Sequence, residues 1–334
     1  TSKIFFTLIY IFFGTTFINI LDNESYWLIH NGNGGFVGQL IKENLYMFSN
    51  IIENQYNKQV ISNELKKVVR QQEKSIILKN ATHIRSLIEK NSFIYPKIDL
   101  KNEVIKVNSG EELQEYIESA YSNSGIENTT IICKSNKRAN QYNQKIRSEI
   151  LWQEDIISAG DIMMVVKNNY YWLDEDHEAG FLANGDIIEV LKINEIKKIY
   201  GFQFAFVLIK MLDYPDQDEM ETILLLDSIN SESPSLNYQQ YKKLYEEIAL
   251  DYKGEKDRNK KIKENKFFNA IQVKFAYSIT CHKSQGGQWN EVFIDQGFFK
   301  KEFLNKNYLR WLYTAFTRAT KKVYLINFDD NFFK

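Results

Sequence analysis

"FAYSITCHKSQGGQWNEVFI", residues 275–294, reads as a strand, a polar turn with two glycines, and a second strand. Packing alone does not call for Thr280, His282, Lys283, Ser284 and Gln285 to stand together where a buried strand ends. The carboxyl ends of strands are the usual ligand face of an open α/β sheet. Gly286 and Gly287 would allow an unusual turn or a close backbone approach. Lys283 offers a charge for phosphate, while Thr280, His282 and Ser284 offer neutral hydrogen bonds to backbone oxygens. The plainer alternative is a capped turn with Ser284 as N-cap.

The flanking text places this stretch in an α/β domain. "TTIICKS" (129–135) is a short apolar run followed by the polar helix "NKRANQYNQKIRSEILW", the strand–loop–helix unit of such folds. Residues 61–90 show helical spacing of apolar residues after "VVRQQ". Beyond the turn come the strand "NEVFIDQ", the helix "NKNYLRWLYTAFTRAT" and the strand "KKVYLINF". The middle differs. "GDIMMVVKNNYYWL", "NGDIIEVLKI", "GFQFAFVLIKML" and "METILLLDS" are strand-like runs with no helix between them, which predicts a small β module. An amphipathic helix is expected over 236–252, and "KGEKDRNKKIKENK" (253–266) reads as a solvated linker, with a nucleic-acid arm as the weaker alternative. "IQVKFAYSIT" (271–280) reads as one strand.

Composition narrows the function classes. The chain has 334 residues and a formal net charge of −1, so any site for a polyanion must be a local patch. The two cysteines, Cys133 and Cys281, form neither a zinc motif nor a disulfide framework and suit a reducing, cytoplasmic setting. Residues 4–21, "IFFTLIYIFFGTTFINIL", carry no charge and reach the lower length limit for a membrane span. Only Lys3 precedes them and no small-residue cleavage site follows, which argues against a signal peptide. A buried hydrophobic segment or an artefact at a fragment end is the alternative to a span, and membrane is not expected as a partner.

Two further stretches complete a pattern. "YTAFTRA" (313–319) presents Thr314, Thr317 and Arg318 near a helix end; Arg318 would either pair with a surface carboxylate or place a rigid charged fork at a phosphate. "ELKKVVRQQ" sets Arg70 after an apolar pair. With "SNKRAN" (135–140) and "CHKSQGGQW" (281–289), in this order and separation, these motifs resemble the C-terminal half of superfamily 1 DNA helicases of the RecD and Dda type. The resemblance covers roughly residues 58–330, and "GDIMMVVKNNYYWL…NGDIIEV" is similar to the family's SH3-like insertion.

The resemblance implies a RecA-like, P-loop NTPase-type parallel sheet over 58–158 and 269–330, interrupted by an SH3-like barrel over 159–268, with residues 1–57 unassigned. It implies an ATP hydrolase driving movement on single-stranded DNA, 5′ to 3′, with ATP and Mg2+ as cofactors. Arg70 and Arg318 would reach across an interdomain cleft to the γ-phosphate, where cations neutralise charge developing in phosphoryl transfer. Gly286, Gly287 and Gln288 would face the nucleotide; many relatives carry Glu at the position of Gln288, and Gln accepts a hydrogen bond without the charge. Ser135, Asn136, Thr280, His282, Lys283 and Ser284 would touch the DNA.

The sequence departs from the family in one large respect. It holds no GxxxxGK[ST] phosphate loop and no acidic magnesium motif; "HNGNGGFVGQ" (30–39) lacks the Lys-Ser/Thr. The first RecA-like domain is therefore expected to be a missing partner, the chain a truncated or frame-disrupted gene product, and the chain alone inactive as an ATPase. The competing expectations are a non-enzymatic single-strand-binding module and, resting on residues 4–21 alone, a membrane-attached protein.

Overall fold

The computed structural model describes residues 75–173 and 177–334. Arg70, the apolar stretch 4–21 and the segment 1–57 lie outside them. In chain order the main elements begin with α1 Ile76–Glu89, β1 Val104–Val107, α2 Gly110–Ser124, β2 Thr129–Cys133 and α3 Asn136–Lys145. There follow β3 Ile162–Val165, β4 Ile187–Ile199, β5 Phe202–Met211, β6 Met220–Leu225, α4 Tyr238–Asp251 and α5 Arg258–Lys263. The last group is β7 Ile271–Phe275, β8 Ser278–Thr280, β9 Trp289–Asp295, α6 Lys306–Phe316 and β10 Ala319–Ile326.

Five strands form a parallel sheet in the order β1-β10-β9-β2-β8. Side chains alternate across it, and both faces are covered. Ile131, Phe293 and Tyr324 point to the side packed by Ile117 and Ala120 of α2 and Ala139 and Tyr142 of α3. Ile132, Val292, Ile294, Val323 and Leu325 point to the other, packed by Ile77 and Ile84 of α1 and Leu309, Leu312 and Phe316 of α6. Double coverage explains why these strands read as unbroken apolar runs. Helix starts are fixed by side chains: Ser75, Ser109, Ser135 and Asn305 each accept a backbone N–H at the head of α1, α2, α3 and α6.

β3, β4, β5, β6 and β7 close into a small barrel. The β4–β5 hairpin turns at Tyr200 and Gly201, both in the left-handed region (φ 55° and 75°), the geometry of a tight two-residue hairpin. α4, opened by a reciprocal Asn237–Gln240 capping box, covers the barrel wall with Leu244 and Ile248 against Phe204 and Leu225. The α/β sheet with a small barrel inserted in it is the fold class read from the sequence.

Two local readings need correction. Residues 271–280 are two strands: β7 pairs with β3 and β6 of the barrel, and β8 joins the sheet beside β2. Nearly every residue from Ile271 to Ile279 is buried, so no change of hydrophobic period marks the break at Ala276. The barrel thus reaches Phe275, past the 159–268 expected for it. The charged run at 253–266 is not all linker: α5 forms within it, holding itself down by the buried Ile262.

The chain leaves the sheet for the barrel through one buried network. Arg147, 2% exposed, sits in the π-helical turn Ile146–Ile150 after α3. Its Nε and Nη2 donate to the two carboxylate oxygens of buried Asp161 at 2.9 and 3.0 Å. Nη1 donates to Asp155 O, and the guanidinium lies 4.4 Å from the Phe275 ring centre. Tyr277 Oη, from the strand of return, donates to Asp161 at 2.9 Å and accepts from Ile162 N. Removing one partner of such a pair leaves an uncompensated buried charge, whereas an apolar pair of similar volume costs little. Asp161→Ala should lower unfolding free energy by about 3–5 kcal/mol in urea titration. The double variant Arg147→Met/Asp161→Leu should recover most of it.

Candidate nucleic-acid interface

The register of the sheet assembles one group of the sequence-predicted residues. Cys133 of β2 is paired with Thr280 of β8, so the two strands end side by side, and Cys281 N donates to Cys133 O. Ser135 caps α3 by accepting Arg138 N, and the Asn136 amide donates to Glu232 O. Thr280 O accepts both Lys283 N and Ser284 N, which curls the chain back at once after β8. His282 is exposed, Thr280 half-exposed, and the Lys283 ammonium donates to Asn184 in the barrel's Asn-Gly-Asp turn. Ser135, Asn136, Thr280, His282 and Lys283 therefore stand together at the carboxyl edge of β2 and β8.

Ser284 does not join them at the surface. It is fully buried, and its hydroxyl donates to Cys281 O at 2.8 Å. No helix follows it, so it is no N-cap either; it holds the turn shut from inside.

The second group lies at the opposite edge of the sheet. The turn crosses to where β9 begins, and Trp289 N donates to Arg318 O with Ala319 in register beside it. Gly286 has φ 88°, a conformation L side chains rarely adopt. Gly287 is needed for space: a Cβ there would lie 2.4 Å from the Trp289 ring. The close approach is thus to the chain's own indole. Gln288 is exposed. Arg318 Nη1 donates to Gly287 O (3.2 Å) and Ser284 O (3.4 Å), Nε to Thr314 O, and Nη2 to the Thr317 hydroxyl. Gly286, Gly287, Gln288 and Arg318 are brought together, with the arginine bracing the turn. Arg70 lies outside the described residues. Among the described residues no group of three or more His, Cys, Asp or Glu is placed to hold a metal ion. No helix among them is long and apolar enough to cross a membrane.

One residue was missed in the sequence. Lys274, in the middle of β7, is 8% exposed, and its ammonium donates to Ser231 O. Burial, and then the nearby Lys283 charge, push its pKa down to about 8. The signal was legible as a lysine between Val273 and Phe275 in a run read as a buried strand.

Residues 275–326, which contain the turn and Arg318, match the model of the UvrD-like helicase C-terminal domain. No curated protein matches the chain. Among solved structures, the Bacteroides Pif1 helicase in complex with ADP-AlF3 and single-stranded DNA is similar over 88% of this chain and 59% of its own, at 13% identity and a TM-score of 0.42. Two coordinating Pif1 helicases at forked double-stranded DNA are similar at 15% identity and 0.38, over 79% of this chain and 50% of that one. Pif1 from Candida albicans is similar at 15% identity and 0.32, over 81% and 57%. The chain spans between half and three-fifths of the length of these structures.

The Lys274 environment has a measurable consequence for stability. An unfolded lysine titrates near 10.4, and the folded value is about 8. Below pH 8 the ammonium is charged in both states and the fold bears the full cost of burying it. As pH rises from 8 towards 10.4 the folded state sheds the proton first and the cost disappears. Lys274→Met should therefore be more stable than wild type at pH 7, by roughly 2–4 kcal/mol. In denaturant titrations the advantage should shrink towards pH 10. A variant less stable than wild type at pH 7 would mean the ammonium is compensated in the fold.

Proposed function

We propose that this chain is the C-terminal motor half of an ATP-dependent superfamily 1 DNA helicase, of the RecD and Dda type and moving 5′ to 3′. In this reading the second RecA-like domain comprises 58–158 and the sheet strands after 275, and the barrel is its SH3-like insertion. The observation that carries the reading is one turn, 281–288, inside the segment matched to a helicase C-terminal domain, with two chemically distinct groups at its two ends. Thr280, His282 and Lys283, with Ser135 and Asn136, take the single-strand backbone at one edge. Arg318 and Gly286–Gln288 face nucleotide at the other. A strand contact and a phosphate contact held by the same short turn would link grip on DNA to the state of ATP. The main phosphate and magnesium ligands would belong to a first RecA-like domain acting as partner.

A second reading is a single-strand-binding module without ATPase activity; it rests on the given sequence holding no GxxxxGK[ST] phosphate loop.

Single-strand binding tests both readings. Removing one cationic partner of a backbone phosphate should lower the log–log salt slope by about 0.7. Lys283→Ala should weaken oligonucleotide binding equally across sequences and flatten the slope by that amount. His282→Ala should weaken binding equally across sequences, through the loss of a hydrogen bond to the strand backbone. Unchanged affinity in both variants would return the stretch to a plain turn.

The helicase reading makes a separate demand on Arg318. In a protein carrying both motor domains, Arg318→Ala should cut ATP turnover by roughly 10³-fold, with a smaller loss of nucleotide binding, since the charge matters most in the transition state. Retained turnover per folded molecule would leave Arg318 as a brace for the turn alone.

A further inference from the structure

Between the carboxyl edge of β8, the first turn of α3 and the barrel wall lies a cavity of about 20 Å³, bounded by Met164, Val166 and Phe275 on its apolar side. Its polar lining includes Lys274, Lys283, Thr280, Ser278, Asn136 and Asn140. Among the described residues, no acidic side chain lines it. That is unusual for a buried ammonium, because a buried charge without an opposite charge costs several kcal/mol. The charge acting on Lys274 is another cation, Lys283. Its hydrogen-bond acceptor, Ser231 O, is neutral and already takes the Asn140 amide. Half-exposed Thr280 lines the same cavity. The volume suits one or two oxygen-sized atoms and is far too small for a base.

We propose that Lys274 and Lys283, with the Thr280 hydroxyl, form a subsite for one backbone phosphate of single-stranded nucleic acid. The inference rests on the function proposed above and adds a residue from the barrel to a site otherwise built on the sheet. The apolar wall supplies the low dielectric that strengthens the interaction, and the phosphate supplies a counter-charge for the Lys274 ammonium. The strand backbone thereby ties β7 of the barrel to the end of β8. Sequence plays no part in such an interaction.

The test uses the full chain and a fluorescein-labelled oligothymidylate in anisotropy titrations, for wild type, Lys274→Met, Lys274→Gln and Lys283→Ala. Each Lys274 variant should bind about tenfold more weakly with a salt slope about 0.7 lower, although Lys274→Met folds more stably. Replacing single phosphates by neutral methylphosphonates should locate one position at which the replacement weakens wild type but not the Lys274 variants. The same position should be silent in Lys283→Ala. Inorganic phosphate should displace the strand no better than chloride at equal ionic strength; specific displacement would assign the subsite to a free anion and overturn the proposal. Wild-type affinity in both Lys274 variants, with Lys283→Ala weakened, would overturn it while leaving the proposed function standing. Wild-type affinity in all three would overturn both. Two different methylphosphonate positions for the two lysines would overturn the shared phosphate.

Discussion

The Arg147–Asp161 pair is the constraint on which the rest of the molecule depends. The chain crosses between sheet and barrel twice, outward after α3 and back after β7. Both crossings meet at Asp161, which receives Arg147 from the outgoing side and Tyr277 from the returning side. Such a bidentate pair fixes direction as well as distance. Because Ser278 follows Tyr277 at once, the same network sets where β8 enters the sheet, and therefore where Thr280 ends it. Buried Asn143 completes the placement by donating to Phe275 O and Ser278 O and accepting Ser278 N.

The turn after β8 inherits that precision and spans the thickness of the sheet. Its internal side is closed by Ser284 and its external side by the Arg318 guanidinium. An arginine that spends donors on carbonyls of the turn keeps its charge while giving up freedom to swing, so its position reports the position of the turn. Positioning of this kind is what electrostatic stabilisation requires, since fixed charges need no rearrangement at the moment of reaction.

Much of this was legible in the sequence, for identifiable reasons. Strands β2, β9 and β10 of the sheet and the helices α1, α3, α4 and α6 follow from apolar runs and helical spacing. The placement of Ser135 beside Thr280 required only that two strand ends share an edge. What escaped reading is long-range. Arg147 and Asp161 lie in text that looks like a helix end and a turn, and nothing local says they meet. The break between β7 and β8 is hidden because barrel and sheet both bury their strands. Ser284 looked like one more exposed polar side chain, yet a hydroxyl in a turn can satisfy the carbonyl three residues back as readily as a ligand. Lys274 was passed over because a strand was recognised before its exception.

The strand order has a consequence for how the protein is made. β10 is the last strand in the sequence but lies inside the sheet, between β1 and β9. During synthesis β1 has no hydrogen-bonded neighbour until residues near 326 leave the ribosome, more than two hundred residues after β1 itself. Over that interval the face that α1 and β1 pack against α6 and β10 lacks those partners, while the barrel, whose β3–β6 strands are close in sequence, can already assemble. Long-separation parallel pairing is slow and exposes hydrophobic surface while it waits. The nascent chain is thus most dependent on chaperones late, in the window between completion of the barrel and emergence of β10.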